Sequence, residues 1–152
     1  MKITDLPQFA SLARRKDVKV IRHKDTKIDL LQLYHQGKFD DYQNGQSRDV
    51  FAKASYLISF LAERDKYAKF IGVYKVKGVR PKHNGFRYYT KKLDGFSDLE
   101  DRLVVYWGEG TRSWYQWLHS KGDKAINEIL PPGYVKDFPG FYDFTLTYAE
   151  LR

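Results

Sequence analysis

The stretch Ala54–Gly78, ASYLISFLAERDKYAKFIGVYKVKG, decides how this chain folds. Its first ten residues, ASYLISFLAE, alternate in polarity and carry β-branched side chains, the pattern of a strand. A short polar turn, RDKY, follows. KFIGVYKVKG at 69–78 is a second run of the same kind, so the two segments read as adjacent antiparallel strands. Near the end of the second, Lys75 and Lys77 alternate with Val76, which exposes one face to solvent there.

Working outward, FRYYTKKL at 86–93 is a third strand and DRLVVYWG at 101–108 a fourth, placed centrally. VKVIRH at 18–23 precedes them, and AINEIL at 125–130 and FYDFTLTY at 141–148 follow, with PPG and FPG between the last two. Helical signals are fewer. Thr4–Arg15 has a capping Thr4 or Asp5, Pro7 in its first turn, and Phe9, Leu12 and Ala13 on one side. Residues 28–37, IDLLQLYHQG, carry a helical apolar pattern closed by Gly37. TRSWYQWLHS at 111–120 reads as a helix capped by Thr111. KFDDYQNGQSRD at 38–49 is polar and contains Asn-Gly, so it reads as a loop. Short strands with a few helices predict one α+β domain over 1–152, built on a small β-barrel or strongly curved sheet with flanking helices.

Composition agrees with a globular chain. Of 152 residues, 42% are hydrophobic and 30% charged, while 16% are aromatic, a surplus of rings beyond what a core of this size requires. There is no cysteine, which excludes disulfides, cysteine-ligated zinc and a thiol nucleophile. The N-terminal stretch has no apolar core of signal-peptide length, and no run approaches the roughly 18 apolar residues of a spanning helix. A cytoplasmic protein with no membrane partner is expected.

The formal net charge is +8, and its distribution says more than its size. Between Lys66 and Leu93 there is no Asp or Glu, while Lys66, Lys69, Lys75, Lys77, Arg80, Lys82, Arg87, Lys91 and Lys92 all fall there. Phosphate contacts supply most of the non-specific affinity for nucleic acid, and a contiguous basic face makes them. Lys75, Lys77, Arg80, Lys82, Arg87, Lys91 and Lys92, with Arg112, are the expected phosphate ligands. Acidic residues gather instead at Asp98, Glu100, Asp101 and Glu109.

No enzymatic constellation is visible. His23, His35, His83 and His119 form no metal-binding spacing, there is no Gly-Lys-Ser/Thr phosphate loop and no Gly-x-Ser-x-Gly, and WGEGTRSW lacks the third glycine of a dinucleotide site. No metal, cofactor or catalytic residue is expected. One alternative stays open: the cluster Asp98, Glu100 and Asp101 can hold a divalent cation for phosphodiester cleavage.

Rings concentrate in VVYWGEGTRSWYQW, Val104–Trp117, which holds all three tryptophans, Trp107, Trp114 and Trp117. Trp107 ends a buried strand row, the place of a barrel mouth. On a helix, Trp114 and Trp117 share a side. Trp117 is expected to be core, and Trp107 and Trp114 to meet at the mouth with Tyr42 as an open cage for an unstacked base.

Four segments, FDDYQNGQ, SYLISFLAE…KFIGVYKVKG, RLVVYWGEGTRSWYQWL and FPGFYDFTLTYAELR, together resemble the N-terminal domain found ahead of GIY-YIG nuclease modules in bacterial proteins. More distantly they resemble the PUA-like superfamily of EVE, ASCH and YTH domains. The resemblance runs from about Lys19 onward. It implies a small β-barrel whose mouth accommodates a modified nucleobase in DNA, as in modification-dependent restriction. It also implies base-pocket roles for Tyr42, Gln43, Gln46, Ser59, Trp107 and Trp114, and weaker ones for Phe138 and Tyr142. The chain stops at Arg152 without a GIY-YIG module, so cleavage would fall to a nuclease partner or fused nuclease domain. An RNA-binding module of the same fold is the second expectation.

Overall fold

The structure, a computed structural model, describes residues 3–63, 67–106 and 114–118. Two short 3-10 turns, Ile3–Asp5 and Pro7–Phe9, open the chain. Then come β1 (Val18–His23), α1 (Leu30–His35), α2 (Phe39–Asn44), β2 (Gly45–Gln46), β3 (Tyr56–Glu63), β4 (Tyr67–Lys82), β5 (Gly85–Lys92), β6 (Val104–Tyr106) and β7 (Trp114–Trp117). The strands form one strongly curved mixed sheet in the order β2-β5-β4-β3-β1-β7, with β6 paired to β4. This is the expected α+β class with a curved sheet.

The pair read from the sequence is its centre. β3 and β4 are antiparallel from Tyr56↔Lys75 to Glu63↔Tyr67. β4, at 16 residues, is long enough for its N-terminal end to pair with β6 and its C-terminal end with β5. Two register shifts, at Ser59/Phe60 and at Val76/Gly78, bend these ladders and raise their twist. Gly72, opposite Ser59, has φ +142°, and a Cβ there would come within 2.8 Å of the Lys92 side chain and 3.3 Å of the Tyr74 ring. Only glycine fits that bend.

β1 pairs with β3 in parallel, so α1, α2 and β2 all lie on the crossover between them. Both strands are covered on both faces, and β1 is buried throughout, polar residues included. The two faces differ. On one, the N-terminal turns and residues 96–103 cover Val18, Val20, Ile58, Phe60, Phe70 and Val73 in the main core. On the other, α1 and α2 cover a cluster around Leu30, Phe39, Leu61 and Ile71, and Val50, Phe51 and Ala54 cover a second around Ile21, Leu57, Tyr74 and Tyr88.

Three sequence readings are corrected. The N-terminal segment forms 3-10 turns rather than one helix; Phe9 and Leu12 are buried as a helix would have buried them. The presumed loop at 38–49 contains α2, with Asp40 and Asp41 in its first turn, where the helix dipole favours them. The presumed helix at 111–120 holds β7, antiparallel to β1 with Lys19↔Trp117 and Arg22↔Trp114. Residues three apart on a strand do not share a face, so Trp114 and Trp117 are not a helical pair. The strands expected at 125–130 and 141–148 lie outside the described residues.

Candidate nucleic-acid interface

A cavity of about 470 Å³ opens on the helical face between β1, α2 and the segment after β2. Its walls include Ile21 and His23 of β1, Tyr42 of α2, Gly45 and Gln46 of β2, then Ser47, Arg48, Val50 and Phe51, and Tyr115 of β7. Alternation in β1 sends Ile21 and His23 to this side, and the register Ile21↔Tyr115 brings Tyr115 to the same side.

The rings are held differently. Tyr42 is half-buried: its hydroxyl donates to Asp25 Oδ2 at 3.2 Å, and its ring packs 6.0 Å from those of His23 and Phe39. Burial, with Asp25 adding to it, raises its pKa to about 12, so it is a neutral phenol at physiological pH. Tyr115 is 43% exposed. The Lys19 ammonium lies 5.2 Å from its centroid and 4.6 Å from that of Trp117, and donates to the Val50 carbonyl at 2.6 Å. Burial lowers the Lys19 pKa while Asp49 opposes the shift.

Behind the wall is a polar knot. Gln43 is fully buried; its Oε1 accepts from Ser59 Oγ and faces His23 Nε2 at 3.1 Å. Its Nε2 has no hydrogen-bond partner among the described residues. Burial pushes the His23 pKa down to about 4, against the opposing bond to Gln43, so the imidazole is neutral near pH 7. Gln46 Nε2 donates to the Gln43 carbonyl at 2.7 Å, which ties the cavity floor to this knot.

Of the residues the resemblance named, the structure brings Tyr42, Gln43, Gln46 and Ser59 together, in two kinds of place. Tyr42 and Gln46 line the cavity; Gln43 and Ser59 are buried behind it. Trp107, Arg112, Phe138 and Tyr142 lie outside the described residues, and of Trp114 only the strand backbone lies within them, so the proposed tryptophan cage is not part of the described site. Trp117 is half-buried and packs on the cluster around Leu57. Sequence reading missed His23, Arg48, Phe51 and Tyr115. Tyr115 was legible from its alternation with Trp117, had β7 been read as a strand.

The basic hairpin β4–β5 divides by face. Lys75 stands opposite Lys91, and Arg80 opposite Arg87. Tyr74 stands opposite Lys92 on the helical face, so the expected basic residues do not share one side. Lys92 pairs with Glu100 at 2.8 Å and Arg87 with Asp41 at 2.7 Å. Lys75, Lys77, Arg80, Lys82 and Lys91 are exposed, and among the described residues no carboxylate pairs with them. At its tip, Lys82, His83 and Gly85 join Gly45, Gln46 and Ser47 around a second, open cavity of about 540 Å³, which borders the first along Gly45–Ser47.

The acidic cluster is engaged. Asp98 accepts from Gln8 at 2.7 Å, Glu100 from the Tyr34 hydroxyl at 3.1 Å and from Lys92, and Asp101 bonds His35 at 2.8 Å and Lys69 at 3.2 Å. These bonds fasten α1 and β4 to the 96–103 segment. A metal ion there would have to displace Lys69 and Lys92. No protein-family model, curated protein or solved structure matches the chain.

Proposed function

We propose that this chain is a nucleic-acid-binding module that takes an unstacked, modified base of DNA into the cavity between β1, α2 and the segment after β2. The observation that carries the reading is the cavity's make-up: Tyr42, Phe51 and Tyr115 offer rings, Ile21 and Val50 an apolar corner for a methyl group, and Gln46 and Ser47 polar groups for a base edge. Arg48 at the wall and Lys82 on the neighbouring hairpin tip supply positive charge for the flanking phosphates. A PUA-like fold and modification-dependent restriction with a nuclease partner belong to the same reading, on the resemblance set out above. RNA is the alternative substrate.

The test is a binding screen across duplex and single-stranded oligonucleotides with and without methylated bases. A preference for one methylated base that Tyr42→Ala and Tyr115→Ala each reduce roughly tenfold is expected, since stacking on one ring is worth about 1–3 kcal/mol. Equal affinity for modified and unmodified strands, unchanged in both variants, would refute it.

A further inference from the structure

The far side of the β4–β5 hairpin carries a second arrangement. Tyr89 of β5 is 47% exposed and stands opposite Gly78 of β4. A tyrosine opposite a strand glycine ordinarily folds over it to cover the bare backbone. Here it does not: beyond its chain neighbours, no atom of the described residues lies within 4 Å of where a Gly78 side chain would be. The ring projects beside an empty shelf.

Cations surround that shelf. Lys91 lies two residues along β5 from Tyr89, on the same face; Lys75 is directly opposite Lys91, and Arg80 lies two residues along β4 from Gly78. Lys77 is the extra residue of the register shift and is exposed. Like charges directly opposite on a sheet destabilise it, and no described carboxylate relieves Lys75 and Lys91. The arrangement gains by accepting an anion, and an exposed ring among cations selects an anion that also carries a flat face.

We propose that this face, formed by Lys75, Lys77, Arg80, Tyr89 and Lys91, binds a single-stranded nucleic acid segment, with one unpaired base stacked on Tyr89 and its phosphates beside the lysines. It lies on the opposite side of the sheet from the base cavity, so it engages a different stretch of strand. The inference builds on the nucleic-acid reading but not on the modified-base reading. Stacking makes it tolerant of sequence, because every base has a π-face.

The probe is a fluorescent ten-nucleotide oligothymidine, followed by anisotropy across a salt series. Tyr89→Ala should weaken binding about tenfold or more with the salt slope unchanged, and Tyr89→Phe should keep wild-type affinity. Lys75→Ala with Lys91→Ala should reduce the slope of log affinity against log salt by about 1.4, or 0.7 for each phosphate released from a single strand. Loss of the methylated-base preference in the screen above, with the Tyr89→Ala effect on oligothymidine retained, would mark a failed base cavity, and the converse a failed tyrosine platform, so the two are told apart. Wild-type affinity in Tyr89→Ala would overturn the inference, as would displacement by a polyglutamate peptide of equal charge as readily as by unlabelled oligothymidine.

Discussion

The two faces of the sheet differ in how they divide apolar and polar burial. Under the N-terminal turns the core is mainly apolar, with Phe9, Phe60 and Phe96 each 5.6–6.2 Å from Phe70, centroid to centroid, and Arg22, which alternation in β1 sends to that side with Val18 and Val20, is buried as well. On the other face the apolar residues separate into two clusters, and Lys19, His23, Gln43, Asn44 and Ser59 are buried on that side. Buried polar groups cost stability unless fully bonded, and the Gln43 Nε2 has no partner among the described residues. A fold whose larger apolar cluster lies on one face can carry most of its buried polar groups on the other.

The largest effect should come from the dry face. Phe70 is fully buried at the centre of the phenylalanine group. Phe70→Ala should cost about 3–5 kcal/mol in urea unfolding. A loss below about 1 kcal/mol would mean that the face is not the stabilising one.

On the polar face the sharpest probe is pH. His23 is held neutral with a folded pKa of about 4, against an ordinary value of 6.5. As pH falls through 6.5 the unfolded chain takes up the proton first, so stability falls from there until about pH 4, where the folded imidazole protonates too. The wild type should lose about 3 kcal/mol more than His23→Gln between pH 7 and pH 4. Parallel stability curves for the two proteins would show that the knot does not hold His23 neutral.

A smaller change should separate the hairpin tip from the cavity. Gly85 has φ +138°, and a Cβ there would collide with the Gln46 carbonyl oxygen and lie 2.8 Å from Ser47 Cα. Gly85→Ala should cost about 1–3 kcal/mol, the order of one strained backbone position. Amide exchange should rise at Gly45–Ser47 and not at Phe70; uniform protection would contradict the docking. The smallest effect is expected from Arg15→Ala. Arg15 pairs with Asp17 at 2.6 Å and sits 4.8 Å from the Tyr56 centroid, but it is exposed. The loss should stay below about 1 kcal/mol in thermal unfolding.

The same contrast explains what the sequence could disclose. Ala54–Gly78 was legible because its alternation matches a sheet with a buried face, and the β3–β4 pairing follows it. FDDYQN hid its helix because an isolated turn and a half has little intrinsic stability; Phe39 packing against Leu61 and Ile71 supports it, and that is tertiary information. WYQW hid its strand because four residues fit either period, and only pairing with β1 decides between them. Of the site, Tyr42 and Gln46 were named through the resemblance, Gln46 also by its place in a polar segment, whereas His23, Phe51 and Tyr115 join them through the parallel crossover, which no local pattern encodes.

The cavity's role is tested most directly by amide chemical-shift mapping with two oligonucleotides of one sequence, identical except for a single methylated base. Perturbations common to both report phosphate contacts; the difference between the two maps reports the base. The difference should fall on Tyr42, Gln46, Ser47, Arg48 and Tyr115, around the cavity. A difference confined to the β4–β5 hairpin, or none at all, would contradict the account.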